Sequence, residues 1–134
     1  MIGARMIVPT IPVSDLDKAR VFYGETLGLE LLWENPASIR FRAGPSSEVS
    51  TFKRPGLTTE HTLAHFEVDD IEATVAELRR RGVVFEEYDL PGLTTVDGIA
   101  EVAGNYPSKG GVGERAAWFR DSEGNLLGIG QPIR

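Results

Sequence analysis

Val13–Ala19, VSDLDKA, has a counterpart later in the chain in Val68–Thr74, VDDIEAT. The two copies are separated along the chain by the distance from Val13 to Val68, and we call this separation the first lag. Each copy follows a short apolar run and opens an apolar pattern of helical period, which ends at a glycine, Gly28 or Gly82. Solenoid repeats are typically shorter than this lag and need at least three copies to bury a core. Two copies therefore predict a fold of two paired modules.

The composition is typical of one globular domain, and we expect a single domain over residues 1–134. Of the 134 residues, 41% are hydrophobic and 25% are charged, and none is cysteine, which excludes disulfides and thiolate chemistry. No apolar run approaches the roughly 20 residues of a membrane span. The first residues lack the layout of a signal peptide, so we expect a cytoplasmic protein without a membrane partner. The net charge of -6, with scattered basic residues, predicts no nucleic-acid partner.

The first module, residues 5–54, is predicted to be βαβββ. The prolines of its first apolar run favour an edge strand. Ser14 with Asp17 has the spacing of a capping box, so we expect Ser14 to be the N-cap of the helix. The strands are predicted from short β-rich runs between turn residues at 6–13, 30–33, 38–43 and 48–53.

The second module, residues 61–132, repeats this order after a linker over residues 55–60. Asp69 with Glu72 again has capping-box spacing. The strands are predicted at 63–68, 83–88, 115–120 and 126–131. The last two correspond to the hairpin of the first module at a larger offset, from Phe41 to Phe119, which we call the second lag. It is larger because the second copy carries a glycine-rich insertion over 90–113, which we expect to be a long surface loop that acts as a lid.

Three phrases of the chain resemble the vicinal oxygen chelate superfamily, which includes glyoxalase I, bleomycin-resistance proteins and extradiol dioxygenases. They are Ile11–Ala19 with Phe22 and Tyr23, then Phe66–Ile71, then Phe119–Leu127. The resemblance implies an α+β fold in which two βαβββ modules form a curled mixed sheet around a cleft. It also implies a homodimer.

The resemblance also indicates where a divalent ion would be held in metal-dependent relatives, by His, Gln or Glu from four strand positions. These positions are Val8, Leu63, Ser50 and Gly128 in this sequence. None is a strong metal ligand. We therefore expect no metal and no other cofactor, and a cleft with an apolar centre where Gly128 lets a ligand approach the backbone.

His65 is the best candidate for polar chemistry. Strand alternation places Leu63, His65 and Glu67 on one face. His65 is a candidate general base or hydrogen-bond anchor, supported by Glu67, or else a satisfied interior histidine. A relocated metal site made of His65, Glu67 and a loop carboxylate such as Glu101 is a further alternative.

These observations lead to two functional hypotheses. The first is a protein that sequesters a small hydrophobic or aromatic molecule in the cleft, since aromatic side chains commonly line such sites. The second is a lyase, dioxygenase or isomerase that uses relocated metal ligands or a His65 base. The predicted ligand-binding residues are Val8, Trp33, Ser50, Phe52, Leu63, His65, Glu67, Tyr106, Trp118 and Gly128.

Overall fold

The computed structural model describes residues 2–3, 6–56, 60–104 and 110–134. The chain divides into two compact units, one comprising Met1–Leu63 with Asp121–Asn125 and the other Ala64–Arg120 with Leu126–Arg134. Each unit contains its own open mixed sheet and a helix, which confirms the α+β class. The sheets formed by the described residues are thus two, one in each unit. No helix among the described residues is long and apolar enough to cross a membrane.

The first unit has the predicted βαβββ order. Its sheet has the order β1-β4-β3-β2, with β1 parallel to β4 and the other pairs antiparallel, so the proline-containing strand does lie at an edge. The helix α1 is α-helical at first and then continues as a π-helix. The elements are β1 (Thr10–Val13), α1 (Leu16–Ala19, π-helical over Arg20–Thr26), β2 (Glu30–Asn35), β3 (Ser38–Arg42) and β4 (Glu48–Lys53).

The helix of the first unit covers one face of its sheet. The ring of Tyr23 stacks on Phe41 of β3 with centroids 5.7 Å apart. Side chains alternate along a strand, so every second residue of each strand points to the face that the helix covers. The residues that share this face are fully or almost fully buried. They are Ile11, Val13, Ile39, Phe41, Val49 and Thr51.

The first unit also contains a buried polar cluster. Part of this cluster comes from the turn Asp121–Asn125, which is distant in sequence but belongs to this unit. The hydroxyl of Tyr23 donates to Oδ2 of Asp121 at 2.7 Å, and Nδ2 of Asn125 donates to the same oxygen at 3.1 Å and to the Pro12 carbonyl at 2.8 Å. Burial, followed by the charge of Asp121 and this hydrogen bond, raises the pKa of Tyr23 far above its usual value. The phenol therefore stays protonated, and its hydrogen bond to Asp121 connects the helix α1 to the turn Asp121–Asn125.

The described residues of the second unit form six strands and the helix α2. Its sheet has the order β5-β10-β9-β8-β7-β6, and β5 is parallel to β10. The elements are β5 (Ala64–Glu67), α2 (Ile71–Arg80), β6 (Asp89–Leu90), β7 (Leu93–Val96), β8 (Ile99–Ala103), β9 (Gly113–Arg120) and β10 (Leu126–Ile133).

The helix caps differ from the predicted ones by one position in both units. Asp15, with extended backbone, caps α1 by accepting from the backbone nitrogens of Asp17 and Lys18 at 2.9 and 3.1 Å. Asp70 caps α2 by accepting from the Ala73 nitrogen at 3.1 Å. The expected caps are therefore wrong, yet the observed caps are themselves related by the first lag.

Ser14 is held elsewhere, because its backbone N–H and its hydroxyl both donate to Oε1 of Glu123, at 2.8 and 2.5 Å. At the other end of each helix, Gly28 and Gly82 adopt the left-handed backbone, with φ of 72° and 92°. These glycines confirm where the helices were predicted to end.

In its described part, the insertion over 90–113 contains sheet rather than only a long loop, since β7 and β8 extend the second sheet. They are joined at Asp97 and Gly98, which both have positive φ, 52° and 81°, as a two-residue hairpin turn requires. Asp-Gly between alternating strands is itself a sequence signal for such a hairpin, so the predicted loop is wrong at this place. Residues 105–109, within the predicted lid, lie outside the described residues.

The predicted strand at 83–88 is also wrong as a regular strand. This segment makes one isolated bridge, between Phe85 and Phe119, and the Glu86 nitrogen donates to the Trp118 carbonyl at 2.8 Å. Through the first lag, this segment is the counterpart of β2, which is a regular strand of the first sheet.

Candidate functional site

The two faces of the second sheet have different surroundings. The helix α2 lies against the face of Arg115 and Gln131, because Glu72 bonds to Arg115 at 2.7 Å and the Ile71 nitrogen donates to Oε1 of Gln131 at 2.9 Å. The opposite face is contacted by no helix among the described residues of this unit, and we call it the helix-free face; it is defined by His65, Glu67, Glu114, Trp118 and Gly128. Cross-strand register places Gly128 between His65 on one side and Trp118 on the other.

The imidazole of His65 lies over Gly128. A Cβ added at Gly128 would be 2.5 Å from Nδ1 of His65 and 3.3 Å from Cδ1 of Trp118. The missing side chain therefore makes room for His65 in this structure, whereas the sequence predicted that it would leave the backbone open to a ligand. Only glycine fits at this position without displacing the imidazole.

Glu114 is the acidic partner of His65. Its Oε2 is 3.3 Å from Nε2 of His65, and its side chain is 8% exposed against 28% for the imidazole. A carboxylate this close to the ring restricts the orientation of the imidazole. Glu67 is the partner predicted from the sequence, whereas Glu114, which lies just before the strand predicted at 115–120, is not among the predicted site residues. Continuing the alternation back from Trp118 would have placed Glu114 on the same face.

An aromatic pair completes the helix-free face. The rings of Tyr88 and Trp118 meet edge to face with centroids 5.6 Å apart. Tyr88 comes from the segment that follows α2, so two separate parts of the chain supply the pair. A half-buried indole beside an imidazole and a buried carboxylate can take up a planar ring and hydrogen-bond to its substituents.

The predicted residues of the first unit also share one face of their sheet. Ser50 lies between Thr10 and Arg40 in the register of β1, β4 and β3, and Trp33 is the cross-strand neighbour of Arg40. By alternation, Phe52 is on the side of Ser50. Ser50 is buried, whereas Trp33 is 56% exposed.

Two of the remaining predicted residues, Val8 and Leu63, lie outside the strands. Val8 and Leu63 are half-buried just before β1 and β5. Tyr106 lies outside the described residues. The structure therefore brings the predicted residues together as one group in each unit: Ser50, Phe52 and Trp33 in the first, and His65, Glu67, Trp118 and Gly128 in the second.

The two lags of the repeat reproduce the register of the sheets. Thr10 pairs with Ser50 in the first sheet, and their counterparts His65 and Gly128 pair in the second. This agreement supports the correspondence of Ser50 with Gly128. Neither residue, nor Val8 or Leu63, offers the nitrogen or carboxylate ligands that a divalent transition metal needs. The chain therefore does not fit the family's metal ion at those four positions.

The alternative metal site with Glu101 is wrong. Glu101 is the cross-strand neighbour of Arg115, on the face covered by α2, whereas His65 is on the helix-free face. Within residues 2–3, 6–56, 60–104 and 110–134, no three His, Cys, Asp or Glu side chains are grouped so that they could hold a metal ion.

Solved structures with the same fold cover nearly the whole chain. A glyoxalase/bleomycin resistance protein/dioxygenase from Alicyclobacillus acidocaldarius has a TM-score of 0.71 and 16% identity, covering 96% of this chain and 92% of its own. A superfamily member from Sphaerobacter thermophilus has a TM-score of 0.70 and 24% identity, covering 98% and 99%. TnmS3, an antibiotic binding protein from Streptomyces sp. CB03234, has a TM-score of 0.65 and 24% identity, covering 98% of each chain. At these identities the likeness shows the fold.

No curated protein matches the sequence. The family model described as Glyoxalase/Bleomycin resistance protein/Dioxygenase superfamily matches residues 5–129. Since this match covers most of the chain and the solved structures share its fold, the protein belongs to the glyoxalase/bleomycin resistance protein/dioxygenase superfamily.

Proposed function

We propose that this protein binds a small hydrophobic or aromatic molecule on the helix-free face of the second sheet, without a metal ion and without converting it. The observation that carries the proposal is the edge-to-face pair of Trp118 and Tyr88 on the same face as His65 and Glu114. Aromatic side chains with a few fixed polar groups are typical of small-molecule sites. TnmS3, described as an antibiotic binding protein, has the same fold, which supports a binding role.

The proposed roles follow from position. Trp118 supplies the surface against which a ring packs, and His65, held by Glu114, supplies a hydrogen bond. Glu67 and Gly128 belong to the same face. Trp33, Phe52 and Ser50 give the first sheet a comparable face, and we include them, together with Val8, Leu63 and Tyr106, in the proposed binding set.

The test uses three probes that share one ring system and differ in charge: 2-naphthol, 2-naphthylmethylamine and naphthalene-2-carboxylate. Binding is measured by calorimetry and by the chemical shifts of the His65 imidazole and the Trp118 indole. We expect saturable binding of at least one probe, with shifts at both side chains. Replacing Trp118 by Leu removes the stacking surface and should weaken that binding about fivefold, since an aromatic contact contributes about 1 kcal/mol beyond its buried area.

Trp33→Leu is the matched variant, because it removes the chain's other tryptophan from the first sheet. Its effect shows whether that face takes part in binding. Absence of saturable binding by all three probes, or equal affinity of the wild type and the Trp118→Leu variant, would overturn the proposal.

The alternative function is an enzyme that uses His65 as a base. The contact between His65 and the buried Glu114 favours this alternative over a base assisted by Glu67, because a carboxylate that orients an imidazole is typical of general-base sites. A lyase, dioxygenase or isomerase with metal ligands at other positions belongs to the same alternative.

Comparing the wild type with a His65→Ala variant distinguishes the binding function from the enzymatic one. Replacement of His65 by Ala should abolish turnover and retain binding if His65 is a base. If its role is structural, the same variant should lower thermal stability. Elemental analysis of protein purified without chelator tests the metal-dependent form, which requires a stoichiometric divalent ion.

Two further properties belong to this proposal. We propose that the protein is a homodimer, which light scattering coupled to size-exclusion chromatography tests directly. We also propose that it acts in the cytoplasm, which fractionation of the producing cells tests.

A further inference from the structure

A second concave surface lies on the opposite side of the second sheet. This groove has a volume of about 850 Å³ and runs between α2 and the β7–β8 hairpin. Its apolar walls include Val75 and Ala76 of the helix and Leu93 and Ile99 of the hairpin, and its polar lining includes Glu101 and Arg115. The volume is within the range of about 300–1,000 Å³ that is typical of small-molecule sites.

The walls of this groove are fixed by specific contacts. Nη2 of Arg79, in the last turn of α2, donates to the Asp97 carbonyl at the tip of the hairpin at 3.0 Å. The Gly98 nitrogen donates to Oε1 of Glu87 at 2.6 Å. These hydrogen bonds connect the hairpin to the helix α2 and to the segment that follows it. The two walls of the groove are therefore fixed relative to each other within the second unit.

The charges in the groove leave two carboxylates available, that of Asp97 at the tip of the hairpin and that of Glu101 on β8. Arg115 is engaged by Glu72 at 2.7 Å, and Arg79 donates to the Asp97 backbone. Three carboxylates and two guanidinium groups line the groove, so its formal charge is negative. Glu101 is exposed and has no hydrogen bond or ion pair with another described residue. A carboxylate beside an apolar wall is complementary to a cation with an apolar body.

We propose that this groove is a second ligand site, which binds an organic cation made of a protonated amine and an apolar chain. The ammonium group would pair with Glu101, and the chain would lie along Val75, Leu93 and Ile99. This inference is independent of the proposed function, because the groove is on the face covered by α2 and shares no residue with the helix-free face.

The test compares octylamine, octanol and octanoate, which have the same chain and differ in charge. Binding to the intact protein is measured by calorimetry at low ionic strength. We expect saturable binding, with an affinity that decreases from octylamine to octanol to octanoate. Glu101→Gln should weaken octylamine binding about fivefold and leave octanol unchanged, since an exposed charge pair contributes only modestly.

A steric variant separates the groove from other sites. Ala76→Trp fills the groove from the exposed surface of α2 and should abolish binding of both octylamine and octanol. Ala73→Trp is the matched control, because Ala73 is also exposed on α2 but does not line the groove. Octylamine should also bind without competing with a naphthyl probe on the helix-free face.

Three results would overturn this inference. One is equal affinity for octylamine and octanoate. Another is unchanged octylamine binding in the Ala76→Trp variant. The third is sedimentation that shows a dimer in the wild type and a monomer in the Ala76→Trp variant, which would make the groove an interface between copies of the chain.

Discussion

Replacing Tyr23 by Phe tests whether the buried polar cluster stabilises the first unit. Tyr23 is fully buried, and its hydroxyl is 2.7 Å from Oδ2 of Asp121, which is 7% exposed. The Asp121 carboxylate also accepts from Nδ2 of Asn125 and from two backbone nitrogens of its own turn. Phe keeps the ring that stacks on Phe41 and removes one donor from a buried charge.

A hydrogen bond to a charged group contributes about 1.5–3 kcal/mol, so we expect Tyr23→Phe to lower the free energy of unfolding by about 2 kcal/mol. For a domain of this size, that corresponds to a fall in Tm of roughly 6–10 °C. Urea denaturation followed by tryptophan fluorescence gives the free energy, and scanning calorimetry gives the Tm. A double-mutant cycle with Asp121→Asn isolates the coupling between the two side chains.

The same pair predicts a pH dependence. The folded-state pKa of Tyr23 is raised, so its contribution to stability is complete below the unfolded-state pKa of about 10 and is lost as the pH rises above that value. The wild type should therefore lose stability above pH ~10 faster than the Tyr23→Phe variant, and the difference between them should narrow. A variant within about 0.5 kcal/mol of the wild type at pH 7, below the usual contribution of such a bond, would refute this reasoning.

Three further substitutions test other parts of the structure. Gly128→Ala should displace the imidazole of His65 and cost about 1–3 kcal/mol, since the added Cβ would lie 2.5 Å from Nδ1; an unchanged His65 chemical shift would contradict this. Asp70→Ala should cost about 1 kcal/mol by removing the acceptor for the Ala73 nitrogen, and Asp70→Asn should retain most of the stability in thermal denaturation. Gly98→Ala should cost more than about 1 kcal/mol, because φ is 81° and the added Cβ would lie 3.1 Å from its two nearest neighbours; a Tm equal to the wild type's would contradict the hairpin geometry.

The internal repeat made most of the fold predictable. Its two lags correctly related the helices and the last two strands of each sheet. The helix caps were predicted one position too early, because several adjacent residues can cap and the choice depends on where the first turn closes. The Ser14 hydroxyl bonds to Glu123, which is distant in sequence, and local spacing does not reveal such a contact.

The candidate site was only partly predictable for the same reason. Alternation correctly placed His65 and Glu67 on one face, since the direction of side chains along a strand is a local property. The partner of His65 is Glu114, which is far from it in sequence and reaches it through the pairing of β5, β10 and β9. Glu101, named as a loop carboxylate that could join His65, lies on the opposite face of the sheet, because it belongs to the strand β8 within a segment that was predicted to be a loop.

The sequence by itself determined the two-module architecture, the ends of both helices and the loss of metal ligands at four positions, since these depend on repeat spacing, glycine backbone freedom and residue type. Only the tertiary structure decided that His65 fills the space over Gly128, that Glu114 accompanies it, and that α2 and the β7–β8 hairpin enclose a groove on the other face. Each of these features joins side chains from strands or helices distant in sequence. Their contacts depend on strand register and helix packing, which periodicity within one segment does not specify.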